Sequence, residues 1–182
     1  LLDALDVVCS GRAWDGLRAE EGLALEQAAV AAFAGTGARR MEAAALEYVA
    51  IIQLVRGEAV AAVAAAERAV AVAATDPPLA ASVASSTAVL ARAVLACGDA
   101  GRACALARRA HAQLVELGGI DDGDAVIRLA LVEALRAVAS DEAAAAARCS
   151  TRSTSCAAGA RGMACATIWA SRPPTPRPAW RS

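Results

Sequence analysis

The sequence predicts an all-α fold, an antiparallel α-hairpin solenoid with repeats of about 41 residues. The first observation is that an apolar helix, a Gly-acid pair and an alanine-rich helix span 45–69 and recur at 86–110. The second is that Gly57-Glu58 and Gly98-Asp99 stand at equivalent places as turns. The third is that 54 of the 182 residues are alanine, which lets two helices approach closely. A fixed period of this length is typical of stacked helical hairpins.

Composition favours helices with a thin core. The chain has only five aromatic residues, but alanine is the best helix former, by up to ~0.7 kcal/mol per residue. All 18 basic residues are arginine and none is lysine, which indicates very GC-rich coding DNA. Six cysteines occur without CxxC spacing, and we expect Cys9, Cys97 and Cys104 to be buried, reduced thiols.

Charge is distributed unevenly along the chain. Residues 1–142 carry 19 acidic residues and 12 arginines, a formal charge of −7, and 143–182 carry six arginines and no acid. The body therefore has no basic stripe for nucleic acid. Its longest uncharged run, 77–91, begins with two prolines and is too short for a membrane span. We expect a cytoplasmic domain with no nucleic-acid or membrane partner, and a fragment, because the chain starts at Leu1 without a leader.

The first hairpin is the least regular. Its start at 4–8 matches 45–49, but Ser10-Gly11 interrupts the helix, so we expect this hairpin to be incomplete. A clearer helix is predicted over 20–34, with Leu23, Ala28 and Phe33 on its apolar face.

Two helices follow on either side of Gly57. The first is predicted over 39–56, from apolar residues at three-and-four spacing, and the second runs to about Ala74. In the next connection, Asp76 is expected to cap a helix that has Pro77 in its first turn.

The remaining helices are predicted over 78–96, 101–117 and 125–138. Gly118-Gly119 should end the second of these in left-handed geometry, and Asp124 should cap the third. Ser140-Asp141-Glu142 falls where a third Gly-acid turn is due.

Residues 1–147 are therefore predicted to form the repeat domain, with three to four hairpins. Residues 148–182 contain no acidic residue, show no helical periodicity and do not match the repeat pattern. One interpretation is a disordered basic tail. The interpretation we favour is out-of-frame translation, because plausible GC-rich codons for 148–156 encode Leu-Leu-Asp-Glu-Val-His-Glu-Leu in another frame.

Small residues at repeated positions resemble those of tetratricopeptide-type hairpins. In that resemblance, a small residue marks each close contact between helices, and a Gly-Asp turn joins the pair. The matching small residues are Ala50 and Ala91, then Ala62, Ala103 and Ala145, then Ala28, Ala69 and Ala110.

Two further segments, 33–40 and 117–125, resemble the repeat region that follows the kinase and ATPase domains of large bacterial serine/threonine kinases. The resemblance implies an interaction or sensor region without catalysis of its own. None of the kinase catalytic motifs is present in this chain. The alternatives are that the parent protein is a kinase whose catalytic domain lies outside this chain, or that the segment is the effector-sensing part of a transcription regulator.

No residue pattern predicts a catalytic, cofactor or metal site. Asp122 to Glu133 has the length of a calcium loop, but Val126 and Ile127 occupy positions that need an oxygen ligand and a glycine. His111 follows two arginines and has no convergent partner, so a solvated histidine is the better interpretation.

The remaining candidate is a groove lined by the first helix of each hairpin. Such a surface, mostly apolar with one arginine, suits an amphipathic protein or peptide helix, or another domain of the parent chain. An alternative is that the same residues pack against further repeats. The residues expected to face the groove are Glu47, Ile51, Leu54, Ala88, Arg92 and Leu95.

Overall fold

The computed structural model describes residues 19–120 and 123–157, with side chains described up to 143. These residues form helices and no strand, which confirms the all-α prediction. Within this part of the chain, no helix is long and apolar enough to cross a bilayer. The helices are α1 (Ala19–Thr36), α2 (Arg39–Val55), α3 (Ala59–Ala73), α4 (Ala80–Ala96), α5 (Ala100–Leu117) and α6 (Asp124–Ala157).

The chain divides into two units, Leu1–Glu142 and Ala143–Ser182. In the first unit, α1 packs against α2, α2 against α3, α3 against α4 and α4 against α5, and α2 also packs against α4. The start of α6 joins the same core through Ile127, Ala130 and Ala134. Contacts therefore run between sequence neighbours and between alternate helices.

Alanine forms the centre of this core. Ala62, Ala66 and Ala69 of α3 are completely buried, and so are the alanines 41 residues later at 103, 107 and 110 of α5. A methyl side chain at the contact allows helix axes to come close, so that many backbone and Cβ atoms touch without bulky residues. This packing is how a chain so poor in aromatic residues builds a core.

The two Gly-acid turns have the same backbone geometry. Gly57 has φ of 78° and Gly98 has φ of 89°, the left-handed region that glycine enters without strain. Each follows the last turn of a helix, and Asp99 then caps α5 by accepting a hydrogen bond from the Arg102 N–H at 2.9 Å. Gly118 also ends α5 in left-handed geometry, which confirms that prediction.

The prediction that Asp76 caps a helix containing Pro77 is wrong. Helix α4 begins at Ala80 after Leu79, and the prolines belong to the preceding loop. The loop is held by Arg39, whose guanidinium donates to the carbonyls of Thr75 at 2.7 Å and Pro77 at 3.1 Å. Because the Arg39 side chain satisfies these two carbonyl oxygens, the segment is stable as a loop, and the helix begins only at Ala80.

Three other local expectations need correction. Ala28 is exposed and Ala29 is buried, so the buried positions of α1 lie one residue away from those that a strict period of 41 gives. Cys97 is exposed because it ends α4 beside the turn, whereas Cys104 is buried as expected. Asp124 is the first residue of α6 and bonds to Arg128, so it does not precede the helix as a cap. Cys9 lies outside the described residues.

The third Gly-acid turn is absent. Helix α6 continues through Ser140-Asp141-Glu142 to Ala157. No glycine stands at this point, and five consecutive alanines follow, so nothing local terminates the helix. Residues 148–157 of the predicted tail are thus helical, and 158–182 lie outside the described residues.

Candidate functional site

An open groove of about 1030 Å³ lies along the first unit, between α2 and α4. The end of α5, the loop that follows it and the start of α6 complete its wall. Most of its lining is apolar, so it can hold a hydrophobic stripe of a ligand. The principal lining side chains are Arg40, Met41, Glu47, Tyr48, Ile51, Ser82, Ser85, Val89, Ile120 and Val126.

Glu47 is the one acid among the described lining residues. Its carboxylate accepts two hydrogen bonds from α4, from Ser85 Oγ at 2.5 Å and from Ser86 Oγ at 2.6 Å. Burial raises the pKa of Glu47, and the two serine hydroxyls oppose this by stabilising its charged form. The carboxylate is thus fixed in direction by α4 and only partly solvated.

The loop after α5 closes against the same serine. Gly123 has φ of 101°, and a Cβ built on it would lie 3.1 Å from Ser85 Cβ and 3.4 Å from Ile120 Cδ1. Only glycine combines this backbone geometry with so close an approach. Ser85 is therefore held between Glu47 on one helix and the Gly123 backbone.

The structure brings together some of the residues predicted to face a groove. Glu47 and Ile51 both line it. Leu54 and Leu95 are partly buried against the core cluster, outside the lining. Arg92 instead forms an ion pair with Glu133 of α6, with Nε 2.9 Å from Oε2. Ala88 is completely buried, so the prediction that it faces the groove is wrong.

Sequence reasoning missed Ser85 and Ser86, which orient Glu47. A signal for them exists, because they stand 38 and 39 residues after Glu47, just under one period. Arg92 and Glu133 are one full period of 41 apart. Pairs of complementary polar residues separated by about one period could therefore have been sought on alternate helices.

The groove is suited to binding a ligand that presents a hydrogen-bond donor or a positive charge. A partly buried carboxylate in apolar surroundings favours a cation or N–H donor, since such a ligand replaces the lost water. Among the described residues, no group of three or more His, Cys, Asp or Glu side chains could hold a metal ion.

Comparison of the chain with models of protein families, with curated proteins and with solved structures found no match.

Proposed function

We propose that the first unit is a tetratricopeptide-like array of α-hairpins that binds a protein or peptide partner and carries out no catalysis of its own. Each hairpin would be one repeat of about 41 residues. The packing of α2 on α4 supports this arrangement, as does the 41-residue spacing of the turns and buried alanines. In such arrays, stability comes from each repeat and its contacts with neighbours.

The ligand we propose is an amphipathic helix that carries one basic residue. Its apolar stripe would cover Met41 and Ile51, and its basic residue would reach the Glu47 carboxylate. The observation that carries this proposal is the placement of Glu47 by Ser85 and Ser86 as the one acid among the described lining residues of a mostly apolar groove. Helices bind grooves of this kind through residues spaced three and four apart.

We also propose that this unit is the interaction or sensor region of a larger bacterial signalling protein in the cytoplasm. The support is the resemblance of 33–40 and 117–125 to repeat segments of large serine/threonine kinases. The partner helix would then belong to another protein or to another domain of the parent chain.

The test uses a synthetic, fluorescently labelled peptide of about 15 residues, roughly four helical turns, with leucines on one face and a central arginine. We expect it to bind the full chain with a dissociation constant on the order of 10 μM. Ile51→Asp should weaken binding at least about tenfold, because it places a charge against the apolar stripe. The measurement is fluorescence anisotropy.

The matched control is Val60→Asp, because Val60 is 80% exposed on α3 and lies outside the groove lining. This variant should bind the peptide as the unchanged protein does. A second peptide, with glutamate in place of the arginine, should bind more weakly. Equal affinity for both peptides, or an unchanged affinity in Ile51→Asp, would contradict the proposal.

A further inference from the structure

A second surface with exposed apolar side chains lies on α6, outside the groove lining. Leu129, Val132 and Leu135 are 45%, 44% and 40% exposed there. They recur at three-residue spacing, so they lie along one side of the helix. On the opposite side of α6, Ile127, Ala130 and Ala134 are buried in the core. Only one side of α6 is covered in the first unit.

The same positions one period earlier are covered. Residues 88, 91 and 94 of α4 precede the three exposed residues by 41, and each is at most 2% exposed. Helix α4 packs against α3 and α5, so both of its sides have neighbours. The exposed side of α6 therefore corresponds to a side of α4 that is covered by other helices.

Charged residues stand at both ends of this side. Arg128 lies seven residues before Leu135 and Glu142 seven residues after it, which is about 10.5 Å of helix rise in each direction. Seven residues are nearly two full turns, so all three lie along one line. We call this line the α6 stripe, and it consists of Arg128, Val132, Leu135, Ala139 and Glu142.

We propose that the α6 stripe binds the α6 stripe of a second copy of this chain, with the two helices antiparallel around a twofold axis at Leu135. Leu135 then meets its own equivalent, and Val132 meets Ala139 of the second copy. Arg128 lies opposite Glu142 of the second copy, and the symmetry repeats this pair. A parallel pairing would instead place like charges together.

The stripe is free to form this interface in the single chain. Arg128 bonds to Asp124 in the preceding turn, with Nε 2.7 Å from Oδ1, but its side chain remains 62% exposed. A guanidinium has five N–H donors, so it can keep this bond while it contacts Glu142 of a second copy. Pairing would also remove the side chains of Val132 and Leu135 from water.

The test is sedimentation equilibrium of the full chain. We expect a dimer with a dissociation constant on the order of 10 μM, and a monomer for Leu135→Asp at the same concentrations. Circular dichroism should show equal helicity in both, because Leu135 is exposed in the single chain. The matched control is Val115→Asp, on α5 outside the stripe and 66% exposed, which should remain a dimer.

Charge reversal tests the antiparallel register. Arg128→Glu should raise the dimer dissociation constant several-fold, to about tenfold, and adding Glu142→Arg to that variant should restore it. A chain that stays monomeric at about 200 μM, twenty times the expected constant, would overturn the proposal. So would a dimer that Leu135→Asp leaves intact, or a double charge reversal that does not restore the affinity. Peptide binding in the groove is a separate measurement, so the two proposals can fail independently.

Discussion

Replacing Ala103 by arginine is expected to abolish cooperative folding of the first unit. Ala103 is completely buried where α5 packs against α4, and so is Ala62, its counterpart on α3. An arginine at either position must separate two helices or bury an unpaired charge. Either effect costs about 4 kcal/mol or more, a large part of the roughly 5–15 kcal/mol that stabilises a typical domain.

The measurement is far-ultraviolet circular dichroism with a urea titration. Matched controls lie one residue from Ala62 and two residues from Ala103, because Ala61 on α3 and Ala105 on α5 are both exposed. Ala61→Arg and Ala105→Arg should change the free energy of unfolding by no more than about 0.5 kcal/mol. Unchanged circular dichroism and unfolding in both Ala62→Arg and Ala103→Arg would refute close packing of the helices at these alanines.

The second large effect is expected from Glu26→Gln. Glu26 is 3% exposed on α1, and burial raises its pKa from 4.5 to about 7. The folded chain therefore holds this proton more tightly than the unfolded chain does. The contribution of Glu26 to stability is fully present below pH 4.5 and is lost as the pH rises to about 7. Above that pH the ionised carboxylate destabilises the fold.

Glutamine has nearly the same shape and cannot ionise. Glu26→Gln should raise the free energy of unfolding at pH 8 by about 1–3 kcal/mol, with little change at pH 4. Urea titrations across this pH range measure the difference. The control is Glu116→Gln on the exposed surface of α5, which should change the free energy of unfolding by no more than about 0.5 kcal/mol. A Glu26→Gln variant that is no more stable than the unchanged chain at pH 8 would show that burial does not raise the pKa of Glu26.

Most helix positions could be predicted because alanine-rich segments are separated by glycine or proline. Helix α2 was expected over 39–56 and lies at Arg39–Val55, and α5 was expected over 101–117 and lies at Ala100–Leu117. Glycine marks the end of both, since its left-handed geometry stops a helix. Local chemistry alone determines these boundaries.

Two of the errors occur where contacts between residues distant in sequence determine the structure. Asp76 is a good cap by residue type, but Arg39 bonds to the carbonyls on either side of it and keeps the segment in a loop. Ala28 and Ala29 cannot be distinguished by composition, so their exposure depends on the register of α1 against α2. At 140–142 the error is local, because an acidic pair without glycine is a poor terminator.

The groove was predictable in its helices and less so in its residues. Glu47 and Ile51 face it because both lie on the side of α2 that is turned towards α4. Arg92 was also expected to face the groove, but it forms an ion pair with Glu133 instead. Ser85 and Ser86 were missed because a hydroxyl carries no charge pattern, and their role depends on Glu47 lying across the gap between α2 and α4.

We propose that residues 39–79, which comprise α2, α3 and the loop that follows, form one repeat of an array. The most direct test is to duplicate these 41 residues in tandem and to follow unfolding in urea by circular dichroism. An array accepts a whole repeat, because each repeat contacts only its neighbours. We therefore predict one cooperative transition, higher helicity and a larger urea m-value, which scales with the surface exposed on unfolding. An unchanged m-value, with the added residues rapidly cleaved by protease, would contradict the array.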